Sequence, residues 1–421
     1  MDKNKNVPDI RFEGFTNAWE QRKLGEVFVN LQNNTLSRAE LSNVQGSAKN
    51  VHYGDILVKF GEVLDVDKEQ LPMIVDDTLV AKYKDAFLQN GDVIVADTAE
   101  DEAVGKCTEI AGLKDEIVIS GLHTIPYRPL LKFASGYLGY YMNSAAYHTQ
   151  LLPIMQGIKV TSISKSAIKN TNVTYPKSEV EQATIGKYFK NLDHLITLHQ
   201  RKYEKLLDVK KSMLFKLFPK DEENIPEIRF EGFNGEWEKT LLSELLEERN
   251  FQSPKDEEYP LMAFVAYEGI VDKGDRYDRS SLVKDADKKK YKRTELADFI
   301  YSSNNLTTGS IGLNKFGKAS ISPVYSIFYT TDKADYNFIG VALTKKEFIN
   351  KMIRARQGVV YGQWRIHERD FLELSVPVPD VKEQKAIGEY FSNIDKMIQL
   401  NKEKIEKLKN IKSSLFDKMF V

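Results

Sequence analysis

Two long segments of the chain space their apolar residues at alternating intervals of three and four positions. They cover residues 179–218 and 381–420, and the spacing persists over several heptads in each. This period is typical of a helix that packs along a partner in a coiled coil. The seam positions of the two segments are Phe189, Leu192, Ile196, His199, Tyr203, Leu206 and Met213, and Phe391, Ile394, Ile398, Asn401, Ile405, Leu408 and Leu415.

Each long segment opens with a predicted helix cap. Ser178 stands three positions before Glu181, and Asp380 stands three before Glu383. In a capping box the first side chain accepts from the backbone N–H three residues on, and the glutamate reaches back to the first N–H. We therefore predict two helices of about forty residues, each about 60 Å long.

A polar residue occupies the middle of each seam, His199 in one and Asn401 in the other. If the helices run antiparallel about a pseudo-twofold axis, these two side chains should meet, which would fix the register at a cost in stability. In the alternative interpretation His199 lies at the edge of the seam in contact with water. No metal site is predicted at a lone histidine.

The segments before the two helices, roughly 20–177 and 240–379, contain short β-branched runs bounded by turn residues. Strands are predicted at DILVKF (55–60), GDVIVADT (91–98), EIVISGLHTIPY (116–127), DFIYSSN (298–304) and ISPVYSIFYT (321–330). Each segment then carries a predicted short helix, at 137–148 or 345–357, followed by a Gln-Gly pair and a basic-polar strand. The order of elements repeats, although most residues do not.

The repeat extends to identical residues. NVPDIRFEGFTNAWE (6–20) matches NIPEIRFEGFNGEWE (224–238), and the two long segments also match at one constant offset. Such self-similarity indicates an internal duplication. We predict an α+β fold with two similar mixed α/β domains, 1–178 and 220–379, joined by two long antiparallel coiled-coil helices, 179–219 and 380–421.

Composition narrows the class of protein. The 421 residues are 42% hydrophobic and 29% charged, Cys107 is the one cysteine, and the beginning MDKNKNVPD has no apolar core. These features favour a cytoplasmic protein without a membrane span, signal peptide or structural disulfide. The formal net charge of −1 weakens a nucleic-acid interpretation without excluding it, because charge can segregate onto one surface.

No motif in the chain predicts an active site. GLNKFGKA (312–319) approaches the phosphate-binding pattern G-x-x-x-x-G-K-[ST], but Ala319 replaces the hydroxyl that holds Mg²⁺ and a strand follows in place of a helix. No glycine-rich turn suited to S-adenosylmethionine or a dinucleotide follows a predicted strand. We expect no cofactor and no metal in this chain.

TYPKSEVEQATIGKYF (174–189) and VPVPDVKEQKAIGEYF (376–391) resemble the repeated junction of the specificity subunit of type I restriction–modification systems. The resemblance covers the whole chain. It implies two target recognition domains, each reading one half of a split double-stranded DNA site, and spacer helices that dock two methyltransferase subunits. Restriction subunits would join for cleavage. S-adenosylmethionine, ATP and Mg²⁺ would belong to those partners, so this chain would be non-catalytic.

Reading DNA requires phosphate contacts for position and base-edge contacts for sequence. The candidate residues are Lys106, Gln156, Lys159 and Lys165 in the first domain and Lys315, Lys318, Arg354, Arg356, Gln363 and Arg365 in the second. Arginine can grip guanine through two hydrogen bonds. Two other classes of function stay open, a scaffold that binds proteins and a self-sufficient DNA-modifying enzyme.

Overall fold

The computed structural model describes residues 6–220, 223–272, 289–359 and 363–421, with only the backbone at Val359 and Gln363. The chain divides into two compact units. The first contains Met1–Gln200 with Glu403–Val421, and the second contains Arg201–Lys402. Each long helix therefore contributes one part of its length to each unit.

The first unit combines short helices with several small sheets. Its strands are β1 (Glu20–Lys23), β2 (Phe28–Asn30), β3 (Ala48–Val51), β4 (Val63–Asp65), β5 (Met73–Ile74), β6 (Val93–Ala96), β7 (Thr98–Ala99), β8 (Cys107–Ala111), β9 (Val118–Ser120), β10 (Thr124–Pro129), β11 (Thr161–Ser162) and β12 (Asn172–Tyr175). Its helices are α1 (Leu24–Val27), α2 (Tyr53–Val58), α3 (Asp77–Lys82), α4 (Tyr137–Asn143), α5 (Ala145–His148), α6 (Lys165–Ile168) and the beginning of α7 (Glu179–Lys216). Single 3₁₀ turns lie at Arg38–Glu40, Lys84–Ala86 and Leu152–Ile154.

The main sheet of the first unit has the order β2-β10-β6-β8-β4, in which only the β4–β8 pair is parallel. All four residues of β6, VIVA, are buried, so this strand forms the centre of the sheet. A second sheet has the order β5-β3-β9, and two-stranded sheets pair β1 with β12 and β7 with β11. The β1–β12 pair ties the duplicated N-terminal segment to the strand that leads into α7.

The second unit uses the same kinds of element. Its strands are β13 (Glu238–Leu241), β14 (Leu246–Glu248), β15 (Gln252–Ser253), β16 (Met262–Val265), β17 (Gly269–Asp272), β18 (Tyr291–Thr294), β19 (Phe299–Tyr301), β20 (Ile311–Leu313), β21 (Ala319–Ile321), β22 (Ser326–Thr330), β23 (Gln357–Val359), β24 (Gln363–Arg365) and β25 (Ser375–Val378). Its helices are α8 (Leu242–Leu245), α9 (Tyr336–Ala342), α10 (Lys346–Arg354), α11 (Glu368–Leu372) and the beginning of α12 (Val381–Lys418).

The two units share one strand frame. The order β14-β22-β19-β20 in the second repeats β2-β10-β6-β8 in the first, and β13–β25 repeats β1–β12. Both units also pack helices against these sheets around a mixed aliphatic and aromatic core. The predicted α+β fold with two similar mixed domains is confirmed.

Several short elements differ from the sequence-based prediction. EIVISGLHTIPY and ISPVYSIFYT each contain residues of two strands that belong to different sheets, β9 and β10 in the first and β21 and β22 in the second. DILVKF, predicted as a strand, lies mostly in α2, where the His52 ring accepts from the Gly54 N–H at 3.2 Å and caps the helix. Ile56 and Phe60 are buried four positions apart, which is a helical interval. Helix α9 was not predicted at all. It follows β22 as α4 follows β10, so α9 rather than α10 is the counterpart of α4.

The long helices run antiparallel within each unit. In the first, the Phe189 ring lies 4.7 Å from the Phe416 ring, measured between centroids, so the beginning of α7 meets the end of α12. In the second, Lys210 near the end of α7 reaches Asp395 near the beginning of α12. All fourteen predicted seam residues are buried or half-buried. The meeting of His199 with Asn401 stays a prediction.

Candidate nucleic-acid interface

The first turn of each long helix is capped as the sequence indicates. The Ser178 hydroxyl accepts from the Glu181 N–H at 3.3 Å, and the Asp380 carboxylate accepts from the Glu383 N–H at 3.1 Å. The two glutamate side chains serve a different purpose from the one expected in a capping box. They bind arginines of the duplicated IRFEGF motif.

Arg11 and Arg229 occupy the same place in the two copies of IRFEGF. Arg11 donates to Glu181 at 2.6 and 2.9 Å, and Arg229 donates to Glu383 at 2.7 and 2.6 Å. The two-pronged geometry is the strong form of an arginine–carboxylate pair. The repeated hexapeptide therefore fastens the start of each domain to the start of its long helix.

The glutamine after each of these glutamates joins the helix to its domain. The Gln182 side chain accepts from the Ala134 N–H at 2.9 Å and donates to the Pro176 carbonyl at 2.8 Å. Gln384 accepts from the Asp335 N–H at 3.0 Å and donates to the carbonyl of the preceding proline at 3.0 Å. The proline and the Glu-Gln pair that recur in the sequence therefore form the junction between each domain and its long helix.

Gly186 and Gly388 let a domain helix approach the long helix closely. A Cβ on Gly186 would lie 3.2 Å from the Ser135 carbonyl oxygen and from the Tyr137 nitrogen, at the start of α4. A Cβ on Gly388 would lie 2.8 Å from the Phe338 nitrogen, near the start of α9. Close helix packing thus explains both glycines.

Reciprocal ion pairs link the long helices. Lys412 lies 2.7 Å from Asp193 and 2.8 Å from Glu62, and at the equivalent place in the second unit Lys210 lies 2.5 Å from Asp395. Burial, followed by the nearby Glu62 charge, raises the pKa of Asp193. A half-buried pair of this kind is weak evidence for stability, but it can select one register of two helices.

The structure brings Gln156 and Lys159 together in one exposed hairpin of the first domain. Lys165 begins α6, and its ammonium donates to the Asn33 side chain at 3.3 Å. It lines an open cleft of about 540 Å³ together with Lys169. Lys106 is half-buried and donates to the Leu57 carbonyl at 2.9 Å, and burial lowers its pKa. Contact of these residues with DNA stays a prediction.

The two lysines proposed for the second domain are held by carboxylates. Lys315 lies 3.5 Å from Asp395 of the long helix. Lys318 forms an ion pair with Glu258, and this hydrogen bond raises its pKa. Both side chains are exposed and an ammonium has three N–H donors, so neither ion pair prevents contact with a phosphate.

The second-domain arginines lie at the end of α10 and in the β23–β24 hairpin. Arg354 is exposed, and Arg365 lies 3.7 Å from Glu368. The Nε and Nη2 atoms of Arg356 are buried and have no hydrogen-bond partner among the described residues, and burial lowers the pKa of this guanidinium. The Gln363 side chain lies outside the described residues. The roles of these residues also stay predictions.

Sequence reasoning missed a polar group beside the Gln156 hairpin. His123 adopts a left-handed φ of 54° in the turn before β10, and its Nδ1 lies 3.4 Å from the Thr98 hydroxyl. The Tyr53 ring packs edge-on against His123 at 5.2 Å between centroids. The left-handed backbone of a partly exposed histidine marks this group as unusual, but only the folded structure reveals that conformation.

A family model described as "Type I restriction modification DNA specificity domain" matches residues 17–208 and 234–410. The chain belongs to this family. It is 22% identical over 433 residues to the type I restriction enzyme MjaX specificity subunit of Methanocaldococcus jannaschii, covering 99% of this chain and 96% of that protein. The MjaVIII specificity subunit of the same organism is 22% identical over 286 residues, 62% of this chain and 64% of that protein.

A solved structure shows the same fold. The crystal structure of the S subunit of a type I restriction–modification system from M. genitalium aligns with a TM-score of 0.61 at 14% identity, over 99% of both chains. The two separate matches of one family model agree with the internal duplication. In the described part of the chain, no cluster of three or more His, Cys, Asp or Glu is placed to hold a metal, and no helix is long and apolar enough to cross a membrane.

Proposed function

We propose that this chain reads a two-part double-stranded DNA sequence, one part with each domain, as the specificity subunit of a type I restriction–modification complex. The first reader is 1–178 and the second is 220–379. The two readers share a frame of four strands but carry different exposed side chains, which suits two different half-sites.

The observation that supports this proposal best is the duplicated junction. The Arg11–Glu181 and Arg229–Glu383 pairs attach two unlike domains to matching helices in the same way. In the proposal the helices also dock two methyltransferase subunits, and their length sets the gap between the half-sites. Restriction subunits join this complex. S-adenosylmethionine, ATP and Mg²⁺ are bound by the partners, and this chain performs no chemistry itself.

DNA binding is tested with the full chain bound to its methyltransferase partner. Association with a random duplex is measured at rising salt, because neutralising phosphates releases counterions. We expect a steep loss of affinity with salt. Affinity for DNA that is absent or insensitive to salt, together with capture of unrelated proteins, would support the scaffold instead.

Catalysis is tested with the purified chain alone. It is incubated with DNA, S-adenosylmethionine and Mg²⁺, and both methyl transfer and strand cleavage are measured. We expect neither activity from the chain alone, methyl transfer only after the methyltransferase subunit is added, and strand cleavage only after the restriction subunits and ATP are added as well. Turnover by the chain alone would identify a self-sufficient enzyme and overturn the non-catalytic assignment.

A further inference from the structure

A short hairpin loop of the first domain, called the ribbon below, runs from Gln156 to Ser162 and is closed by one antiparallel bridge between these two residues. These two residues exchange backbone hydrogen bonds of 3.0 and 2.8 Å. Gly157 has φ 121°, and a Cβ there would lie 2.0 Å from the Val160 carbonyl oxygen, so the turn requires glycine. Ile158 at the tip has a relative exposure of 102% and contributes nothing to the core.

The ribbon is fixed to a buried part of the domain. Ser162 pairs with Thr98 in the β11–β7 sheet, and β7 follows the fully buried β6 almost directly. The next residue, Ile163, is 3% exposed and donates its N–H to the Asp97 carbonyl at 2.8 Å. A tip held in this way needs little ordering when it binds a partner, which favours specific recognition.

A chain of polar contacts extends from the base of the ribbon. The Thr98 hydroxyl lies 3.4 Å from His123 Nδ1. The turn before His123 is held by Asn33, which donates to the Gly121 carbonyl at 3.1 Å and accepts from Lys165 at 3.3 Å. Ribbon, histidine and lysine therefore form one continuous strip on the first domain.

We propose that this ribbon enters the major groove of DNA and reads the half-site of the first domain, with Gln156 and Ile158 at base edges and Lys165 at a phosphate. The inference rests on the proposed function. A major groove about 12 Å wide admits a two-stranded β-ribbon and therefore also a loop closed by one bridge, glutamine pairs with adenine, and an aliphatic side chain contacts the thymine methyl group.

The experiment uses the full chain co-expressed with its methyltransferase partner, and the readout is the set of methylated adenines across the genome. Gln156→Ala and Ile158→Ser are compared with the wild type. Val44→Ser is the matched control, because Val44 is another aliphatic residue of the first domain with 92% exposure. Ile158 makes no core contact, so its substitution leaves the fold intact, and thermal unfolding verifies this.

Both ribbon variants should relax the methylated motif at one or more positions of the same half, with the other half and the gap unchanged. Methylation of the original site at limiting expression should fall about tenfold or more, the effect of losing a base contact. The Val44 variant should match the wild type. An unchanged motif and rate in both ribbon variants, or relaxation of both halves, would overturn the inference.

Two further outcomes are informative. A variant that methylates nothing but still co-purifies with the methyltransferase supports the ribbon, because DNA binding alone has been lost. The same loss without co-purification overturns it, because the ribbon then serves assembly. A wild-type chain that yields no two-part motif refutes the proposed function itself, and this result is distinct from a failure of the ribbon.

Discussion

Arg229 holds Glu383 through two hydrogen bonds, 2.7 Å from its Nε and 2.6 Å from its Nη2. Arg11 holds Glu181 in the same way, but the Trp19 indole also donates to Glu181 at 3.2 Å. The indole nitrogen at the matching tryptophan of the second unit has no hydrogen-bond partner in the described part of the chain. The two junctions are therefore alike in their ion pair and unlike in one hydrogen bond.

That difference predicts unequal effects of two equivalent substitutions. Arg229→Met should lower the free energy of unfolding of the second unit by about 3–5 kcal/mol, because it leaves a buried carboxylate unpaired. Arg11→Met should cost the first unit about 1 kcal/mol less, because the indole still donates to Glu181. Hydrogen exchange at the first turns of α7 and α12 measures each unit separately. Equal losses of stability in the two units would contradict the role given to the hydrogen bond from Trp19 to Glu181.

The two junction glycines should respond differently to alanine. At Gly388 the new Cβ would lie 2.8 Å from a backbone nitrogen, so Gly388→Ala should destabilise the second unit by about 1–3 kcal/mol. At Gly186 the nearest atoms are 3.2 Å away, and the gain of helix propensity, about 1 kcal/mol, should offset most of the strain. The melting temperatures of the two variants test this order.

Glu109 gives the first unit a pH dependence. Burial raises its pKa to about 7, although the N–H groups of Gly136 and Gly139 donate to it at 2.6 and 3.0 Å. Because the folded pKa exceeds the unfolded one, the stabilisation is complete below about pH 4.5 and is lost as the pH rises through about 7. The loss should amount to about 3 kcal/mol.

Denaturant unfolding at a series of pH values measures this loss. Glu109→Gln cannot ionise, so its free energy of unfolding should be flatter between pH 5 and 8 than that of the wild type. Identical slopes for the two proteins would show that another group causes the pH dependence.

Lys412 should stabilise the first unit through the two carboxylates that it joins. Lys412→Met leaves Glu62 and Asp193 without their common cation in a mostly buried place, which should cost about 3–5 kcal/mol. Lys409→Met is the control, because Lys409 is exposed and lies 3.9 Å from Glu406. That variant should stay within about 0.5 kcal/mol of the wild type. Equal stability of the two variants in chemical denaturation would refute the role of Lys412.

The long helices were predictable because their apolar period continues for many turns and a cap marks each beginning. Short elements were harder to predict. DILVKF has the β-branched composition of a strand, but the His52 cap and the two buried positions four residues apart select a helix. Such tertiary selection is not visible in a window of six residues.

The candidate site was predictable only where its residues are neighbours in sequence. Gln156 and Lys159 lie three positions apart in the chain, so their proximity follows from the sequence, although no turn was predicted there. His123 and Asn33 lie near them only through side-chain hydrogen bonds between segments that are far apart in the chain. The carboxylates that hold Lys315 and Lys318 lie 80 and 60 positions away in the chain, which no local pattern reveals.

The central claim is that one chain reads two unlike half-sites of DNA. The most direct measurement is a genome-wide map of methylated adenines in cells that express this chain with its methyltransferase partner, compared with cells that express the methyltransferase alone. We predict an asymmetric motif of two specified parts separated by a fixed unspecified gap, present only when this chain is expressed. A single continuous motif, or the same map in both cells, would contradict the account.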